Sequence, residues 1–138
     1  MHLEPNHDNL QLLLERDPVG ELVMLNLLRF KDVADYAAYP ELAPPRPISG
    51  RDAYNVYMAH TLPFLTASGG SLEFIGEGGH YFIGPTEERW DLALLVRQSS
   101  LEAFFAFAQD EGYLAGLGHR SAALADSRLL PLTPQVSS

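Results

Sequence analysis

The sequence contains no cysteine, which excludes disulfide bonds, thiolate zinc sites, iron–sulfur ligation and a cysteine nucleophile. Basic residues are also scarce, because 9 lysines and arginines stand against 18 aspartates and glutamates, for a formal net charge of −9. Nucleic acids and anionic membranes both attract clustered basic surfaces, so we expect neither as a partner. No apolar run approaches the roughly 20 residues that span a bilayer. These absences fit a cytoplasmic protein, and we expect that location.

The 138 residues suffice for one domain with a hydrophobic core and fall short of two. Leu22 to Phe30 is an almost unbroken apolar run interrupted by one amide, Asn26, and residues 90–98 have the same character. Runs of this kind predict strands that are buried on both faces. We divide the single domain, 1–138, into an N-terminal helix and turn over 1–19, a core over about 20–131 and a tail over 133–138.

Apolar spacing and turn residues predict the remaining elements. Helices are predicted over 6–16, 49–67 and 99–108, with a further helical piece over 113–125. Strands are predicted over 22–30, 72–75, 90–98 and 127–132. We expect Gly76 to Gly79 to break the second strand as a bulge or hairpin, before an extended stretch from Tyr81 to Ile83. The proline-rich connection over 32–49 is long enough to predict a functional lid or a poorly ordered loop.

Without the N-terminal helix, the element order is β-α-β-β-α-β. This order predicts an α+β, ferredoxin-like fold, with an antiparallel sheet and its helices on one face. The open face then carries one of two sets of side chains from the first strand: Leu22, Met24, Asn26 and Leu28, or Val23, Leu25 and Leu27. Leaving several hundred Å² of such surface in water would cost on the order of 10 kcal/mol. We therefore predict a homodimer in which two sheets pack face to face as a dimeric α/β barrel.

Several segments resemble the DUF1330 family of the dimeric α/β-barrel superfamily. They are Met24 to Lys31, Gly50 to Tyr57, Ser68 to Gly70, Trp90 to Val96, Tyr113 and His119 to Leu130. The resemblance covers nearly the whole domain and implies a ferredoxin-like dimer, in a family that has no assigned reaction. Superfamily relatives include cofactor-independent monooxygenases, muconolactone isomerases and haem-degrading enzymes. Fold analogy of this kind suggests a small-molecule site without specifying its chemistry.

Asn26 is the sharpest candidate residue, because an amide within a buried strand must have its hydrogen bonds satisfied. The resemblance to monooxygenase-like relatives implies that it points into the barrel and orients a substrate carbonyl; the alternative is a bond to loop backbone. Tyr54, Tyr57 and His60 lie at i, i+3 and i+6 of one helix, where they either line a pocket or form the edge of the core. Trp90 either stacks on a planar ligand or packs in the core or interface.

His119 and Arg120 lie in the last helical piece. His119 is a candidate general base, and the analogy with haem-degrading relatives would make it an axial ligand, although nothing beyond one histidine supports haem. Arg120 would either hold a ligand carboxylate or bridge acids, for example Asp91. The sequence has no HxH or HExxH spacing, phosphate loop or Gly-x-Ser-x-Gly elbow, so we expect no metal and no cofactor.

Together these residues predict a small-molecule enzyme that acts on an aromatic or polyketide-like substrate inside the dimer barrel. The predicted catalytic residues are Asn26, Tyr57 and His119, and the predicted substrate-binding residues are Tyr54, His60, Trp90 and Arg120. The reaction would be proton transfer, isomerisation or an oxygenation in which the substrate carbanion itself reacts with dioxygen. The alternative is a non-catalytic module, which serves either to bind a small aromatic or acidic ligand or to dimerise.

Overall fold

The computed structural model describes residues 1–135, so residues 136–138 of the predicted tail lie outside the described residues. The helices are α1 (His7–Arg16), α2 (Gly50–Ala67), α3 (Leu101–Ala108), α4 (Glu111–Leu114) and α5 (Leu117–Ala123). The strands are β1 (Leu22–Phe30), β2 (Ser71–His80), β3 (Arg89–Gln98) and β4 (Leu124–Leu132). A short 3₁₀ turn lies at Pro40–Leu42 in the connection between β1 and α2.

The four strands form one antiparallel sheet with the order β2-β3-β1-β4. This order, with α2 after β1 and α3 to α5 between β3 and β4, confirms the predicted α+β, ferredoxin-like fold and its extra N-terminal helix. The Arg16 guanidinium at the end of α1 donates to the Pro131 carbonyl oxygen on β4 at 2.7 Å. Within residues 1–135, none of the helices has both the length and the apolar character that crossing a membrane requires.

Serine side chains begin the two longer helices of the core. The Ser49 hydroxyl accepts from the Asp52 backbone amide at 3.0 Å, which satisfies one of the free donors at the start of α2. At α3 the same role falls to Ser100, whose hydroxyl accepts from the Ala103 amide at 2.9 Å. Pro63 lies within α2, yet the helix continues to Ala67 because the packing of its buried face outweighs one missing hydrogen bond.

Three predicted boundaries are wrong. The β2 strand does not break at Gly76–Gly79 but pairs with β3 as far as His80, and the segment from Tyr81 to Ile83 lies outside it. Gly78 explains the continuity, because a Cβ atom there would overlap the Trp90 carbonyl oxygen, so glycine permits the two backbones to pair. The predicted helix over 113–125 is divided into α4 and α5, and β4 begins three residues earlier than predicted, at Leu124.

The core lies between the sheet and the helices. Leu22, Met24 and Leu28 of β1 are buried on the helix side, together with Leu92 and Leu94 of β3. Strand alternation therefore places Asn26 on the helix side as well. Of the two alternatives for the open face, the structure selects Val23, Leu25 and Leu27.

The open face has an apolar centre and charged ends. Its most exposed apolar side chains are Phe74, in register with Leu95, and Leu130, in register with Leu25, which are 56% and 53% exposed. Arg97 forms ion pairs with Glu21 and Glu73 at one end, and Arg128 pairs with Glu88 and Asp126 at the other. This distribution resembles a protein interface, with an apolar core and a polar rim.

The proline-rich connection packs on α5. The Asp35 amide donates to the Ala122 carbonyl oxygen at 2.9 Å. Tyr39 and Leu42 lie so close to Gly118 that a Cβ atom at that position would overlap both side chains. The connection therefore covers the helix layer and leaves the sheet's open face bare.

Candidate functional site

A row of tyrosines occupies the layer between the sheet and the helices. Tyr54 and Tyr57 project from α2, with ring centroids 5.2 Å apart, and Tyr57 meets Tyr113 of α4 edge to face at 6.2 Å. All three are buried in the core cluster that also contains Leu94, the register partner of Asn26. The predicted alternative for Tyr54 and Tyr57, a place in the core, is what the structure shows.

The Tyr57 and Tyr113 hydroxyl oxygens lie 2.9 Å apart and are hydrogen-bonded to each other. Only one of the two protons can serve that bond, and the other finds no acceptor within residues 1–135. A buried donor that is left without a partner costs roughly 1–3 kcal/mol. The pair therefore presents a hydroxyl donor for which the protein supplies no acceptor.

Two further polar groups share this layer. The Thr61 hydroxyl, one turn along α2 from Tyr57, is buried and has no hydrogen-bond partner within residues 1–135. The half-buried Asn26 side chain donates to the Met24 carbonyl oxygen of its own strand at 3.2 Å, which is neither of the two arrangements that we predicted. Its remaining amide proton and its oxygen take no part in that bond. Thr61 and Tyr113 were absent from the predicted site.

Burial keeps these phenols in their neutral form. Burial raises the pKa of Tyr57 well above its usual value, and the neighbouring Tyr113 and Tyr54 raise it further, while the positive charge of Arg120 lowers it. Burial also raises the pKa of Tyr54, again opposed by Arg120. Burial therefore favours the protonated form of Tyr57, and the proton-moving role that we predicted for it stays a prediction.

Arg120 is half-buried and borders the tyrosine row. Its guanidinium donates to the Leu3 carbonyl oxygen at 2.7 Å and to the Ser127 hydroxyl at 3.4 Å. The predicted alternative, an ion pair with Asp91, is wrong. The Asp91 carboxylate instead accepts from the Phe30 amide at 2.9 Å and pairs with Arg89.

His119 belongs to a second cluster, on the side of α5 that the proline-rich connection covers. Its Nδ1 atom lies 2.8 Å from the Tyr36 hydroxyl. Burial, and then the charge of nearby His60, lower the pKa of His119 below its usual value. His60 Nε2 donates to the Gly112 carbonyl oxygen at 2.7 Å. The structure thus groups His119 with Tyr36 and His60.

The Trp90 side chain is buried and contacts Tyr81 and Arg128. Its indole N–H donates to the Tyr81 hydroxyl at 2.6 Å, and the guanidinium carbon of Arg128 lies 5.0 Å from the ring centroid. Because one ring face already carries a cation, the packing alternative describes Trp90 better than a stacking platform does.

Two cavities open at the surface, and Leu92, which packs in the core cluster with Tyr54, lines the smaller of them. One of about 350 Å³ is lined by residues that include Arg51, Asn55 and Glu77, and one of about 470 Å³ lies between Pro18 and Phe105. Among residues 1–135, no group of three or more histidine, aspartate or glutamate side chains is arranged to hold a metal ion.

Comparison with known proteins gives two close structural matches. The methylated RPA0582 protein is 31% identical to this chain with a TM-score of 0.84, and the match covers 98% of this chain and 96% of that one. The RPA0582 protein of unknown function from Rhodopseudomonas palustris is 30% identical with a TM-score of 0.82, and covers 99% and 98%. A more distant match, At3g17210 from Arabidopsis thaliana, is 12% identical with a TM-score of 0.52 over 85% and 98% of the two chains, and shows the fold alone.

A scan against protein-family models finds no match, and neither does a search of curated proteins.

Proposed function

This chain belongs to the family of the RPA0582 protein from Rhodopseudomonas palustris, a protein of unknown function, and we propose that it binds a small carbonyl compound and stabilises its enolate. The site is the polar group formed by Asn26, Tyr57, Thr61 and Tyr113 in the layer between sheet and helices. The observation that carries the proposal is the buried hydroxyl pair of Tyr57 and Tyr113, in which one hydroxyl proton has no acceptor within residues 1–135.

The chemistry follows from what these groups can offer. Neutral hydroxyl and amide donors, held rigidly in a water-poor layer, stabilise an oxygen that gains negative charge. Because burial favours the protonated form of Tyr57, the group suits a substrate that ionises readily, such as a 1,3-dicarbonyl compound or a polyphenol. The substrate gives its acidic proton to solvent water, and the enolate either takes a proton back at another carbon, which is isomerisation, or adds dioxygen through its carbanion, so that its electron pair reduces the dioxygen to a peroxide. The cofactor-independent, monooxygenase-like reaction that the sequence suggested is part of this proposal.

The resemblance to DUF1330 also remains a proposal. It is supported by the sheet order and by the positions of Asn26 on β1 and of Tyr113 and His119 in the α4–α5 region.

A homodimer is the second part of the proposal. Val23, Leu25, Leu27 and Leu95 line the open face, on which Phe74 and Leu130 remain more than half exposed. A second copy of the same face would cover an apolar centre with apolar atoms and bring charged ends to the rim. The site and the open face share one strand, β1, which contributes Asn26 to the site and Val23, Leu25 and Leu27 to the face. The two parts of the proposal can therefore be tested separately.

A non-catalytic binding module is the other candidate. It is favoured by the absence, within residues 1–135, of any carboxylate or imidazole that is hydrogen-bonded to the side chains of Asn26, Tyr57 or Tyr113. A module of this kind would bind the same ligands through the same donors and leave their protons in place.

Benzoylacetone, an aromatic 1,3-diketone, distinguishes these functions. The enzyme proposal expects it to raise the melting temperature and to exchange its acidic C–H for deuterium faster with the protein than without, as followed by NMR. Tyr113→Phe, which removes one hydroxyl of the pair, should lose both effects. Tyr39→Phe, which removes a hydroxyl far from the pair, should keep them. If benzoylacetone raised the melting temperature without speeding the exchange, the binding module would be favoured. If it did neither, both functions would be refuted.

A further inference from the structure

Arg120 lies at the edge of the tyrosine row, and the binding of a neutral carbonyl compound gives its positive charge no role. Four other arginines form ion pairs with carboxylates: Arg51, Arg89, Arg97 and Arg128. Arg120 has no carboxylate partner within residues 1–135, although it is half-buried. A cation that is partly removed from water without a counter-charge is costly, so such a position usually serves an anion.

The contacts that Arg120 does make are weak substitutes for an anion. The Leu3 carbonyl oxygen and the Ser127 hydroxyl are neutral, and the bond to Ser127 is long at 3.4 Å. They use only part of the donor capacity of the guanidinium fork. The nearby carboxylate of Asp126 is already committed, because it accepts from the His2 and Ser127 amides and pairs with Arg128.

Arg29 provides a useful contrast. It is also half-buried and forms no ion pair within residues 1–135, but it lies on the open face, in register with Asp126 of β4. Arg120 instead extends from α5 towards Ser127 on the helix side of β4, where its charge acts on the phenols of Tyr54 and Tyr57.

We infer that Arg120 anchors the carboxylate of a small aromatic acid whose ring lies against the tyrosine row. This inference rests on the proposed function, because it assigns a substrate class to the same site. The planar guanidinium matches a carboxylate in a two-point hydrogen-bonded pair. Ser127, which Arg120 contacts, is in register with Leu28, and Leu28 packs in the core cluster whose aromatic rings include Tyr54 and Tyr57. The carbonyl oxygen of Leu3 and that of His2, which accepts from Ser127, stand where the carboxylate oxygens would bind. A ligand would therefore displace the segment over residues 2–3 from the guanidinium.

Benzoate and benzamide form a matched pair of probes, because they share a ring and differ in charge. We expect the wild-type protein to bind benzoate about tenfold or more tightly than benzamide, as measured by isothermal titration calorimetry; tenfold corresponds to about 1.4 kcal/mol. Arg120→Gln should abolish this preference, and Arg120→Lys should retain part of it, since lysine keeps the charge without the fork. Arg46→Gln, at an exposed arginine of the β1–α2 connection, is the control and should behave as the wild type.

Should Arg120→Gln fail to fold, the NMR signal of the Arg120 Nε–H group in the wild-type protein provides the test. A shift on addition of benzoate, and none with benzamide, would support the inference, whereas an unmoved signal would overturn it. Equal benzoate affinity in the wild type and Arg120→Gln, or no preference for benzoate in the wild type, would also overturn it. The benzoylacetone experiment is independent of these results, because that probe carries no carboxylate. Its success alongside a benzoate failure would remove Arg120 and leave the proposed function in place.

Discussion

Replacing Leu130 by glutamate tests whether the open face is the surface through which two copies associate. Leu130 is 53% exposed in the single subunit and lies in register with Leu25 at the apolar centre of the face. Burying a whole leucine side chain contributes about 1.5–3 kcal/mol, so the exposed half contributes ~1 kcal/mol. A twofold interface contains the residue twice, which gives ~2 kcal/mol, and two desolvated carboxylates add a further cost.

The dissociation constant of the dimer should therefore rise by roughly 100-fold, or about 2.8 kcal/mol. Sedimentation velocity across the micromolar range measures this directly, with circular dichroism to show that the variant remains folded. Val56→Glu is the matched control, because Val56 is 43% exposed on α2 and lies in the helix layer. A wild-type protein that sediments as a single subunit, or a Leu130→Glu variant that dimerises as tightly as the wild type, would refute the reasoning.

Three further predictions concern the folded subunit. Tyr113→Phe leaves its buried partner hydroxyl unpaired and should lower the free energy of unfolding by about 1–3 kcal/mol in urea; an unchanged value would mean that the pair is not buried. Gly50→Ala places a Cβ atom onto the carbonyl oxygen of Lys31 and should cost about 1–3 kcal/mol, whereas Gly79→Ala meets nothing within 4 Å and should show no such steric cost. Because the pKa of His119 is lowered on folding, the unfolded chain binds the proton more readily, so stability should fall as the pH drops below 6.5. His119→Gln should reduce that fall in melting temperature, and an identical pH profile would contradict the assignment.

The two central strands of the sheet were predictable because each corresponds to one of the two long apolar runs of the sequence. Residues 22–30 and 90–98 are both central strands, and a central strand covered on one face by helices and apolar on the other must read as a continuous run. The glycine-rich part of β2 was not predictable in this way. Glycine as a strand breaker is a rule about local propensity, whereas this segment stays paired with β3, whose backbone approaches Gly78 too closely for any side chain there.

In the candidate site too, local spacing predicted some residues, whereas the contacts between distant segments could not be predicted. Helical spacing placed Tyr54 and Tyr57 on one face of α2, and extending that spacing by one turn reaches Thr61, a signal that was available and overlooked. Spacing says nothing about which helix lies opposite, so it could not pair Tyr57 with Tyr113 across 56 positions of sequence. It also could not place Tyr36 beside His119, because that depends on how the β1–α2 connection packs over α5.

The isolation of Arg120 is informative because the composition argues against it. With 18 acidic residues for 9 basic ones, a partly buried arginine would be expected to find a carboxylate, and the sequence suggested Asp91. Asp91 is instead held by the Phe30 amide and Arg89, and Asp126 is held by Arg128. The local absence of acid around Arg120 therefore arises from placement in the fold and not from a shortage of acids in the chain. Arg120 is thus half-buried and bonded to neutral oxygens in a chain rich in acids, and this placement is the basis on which we infer an anion site there.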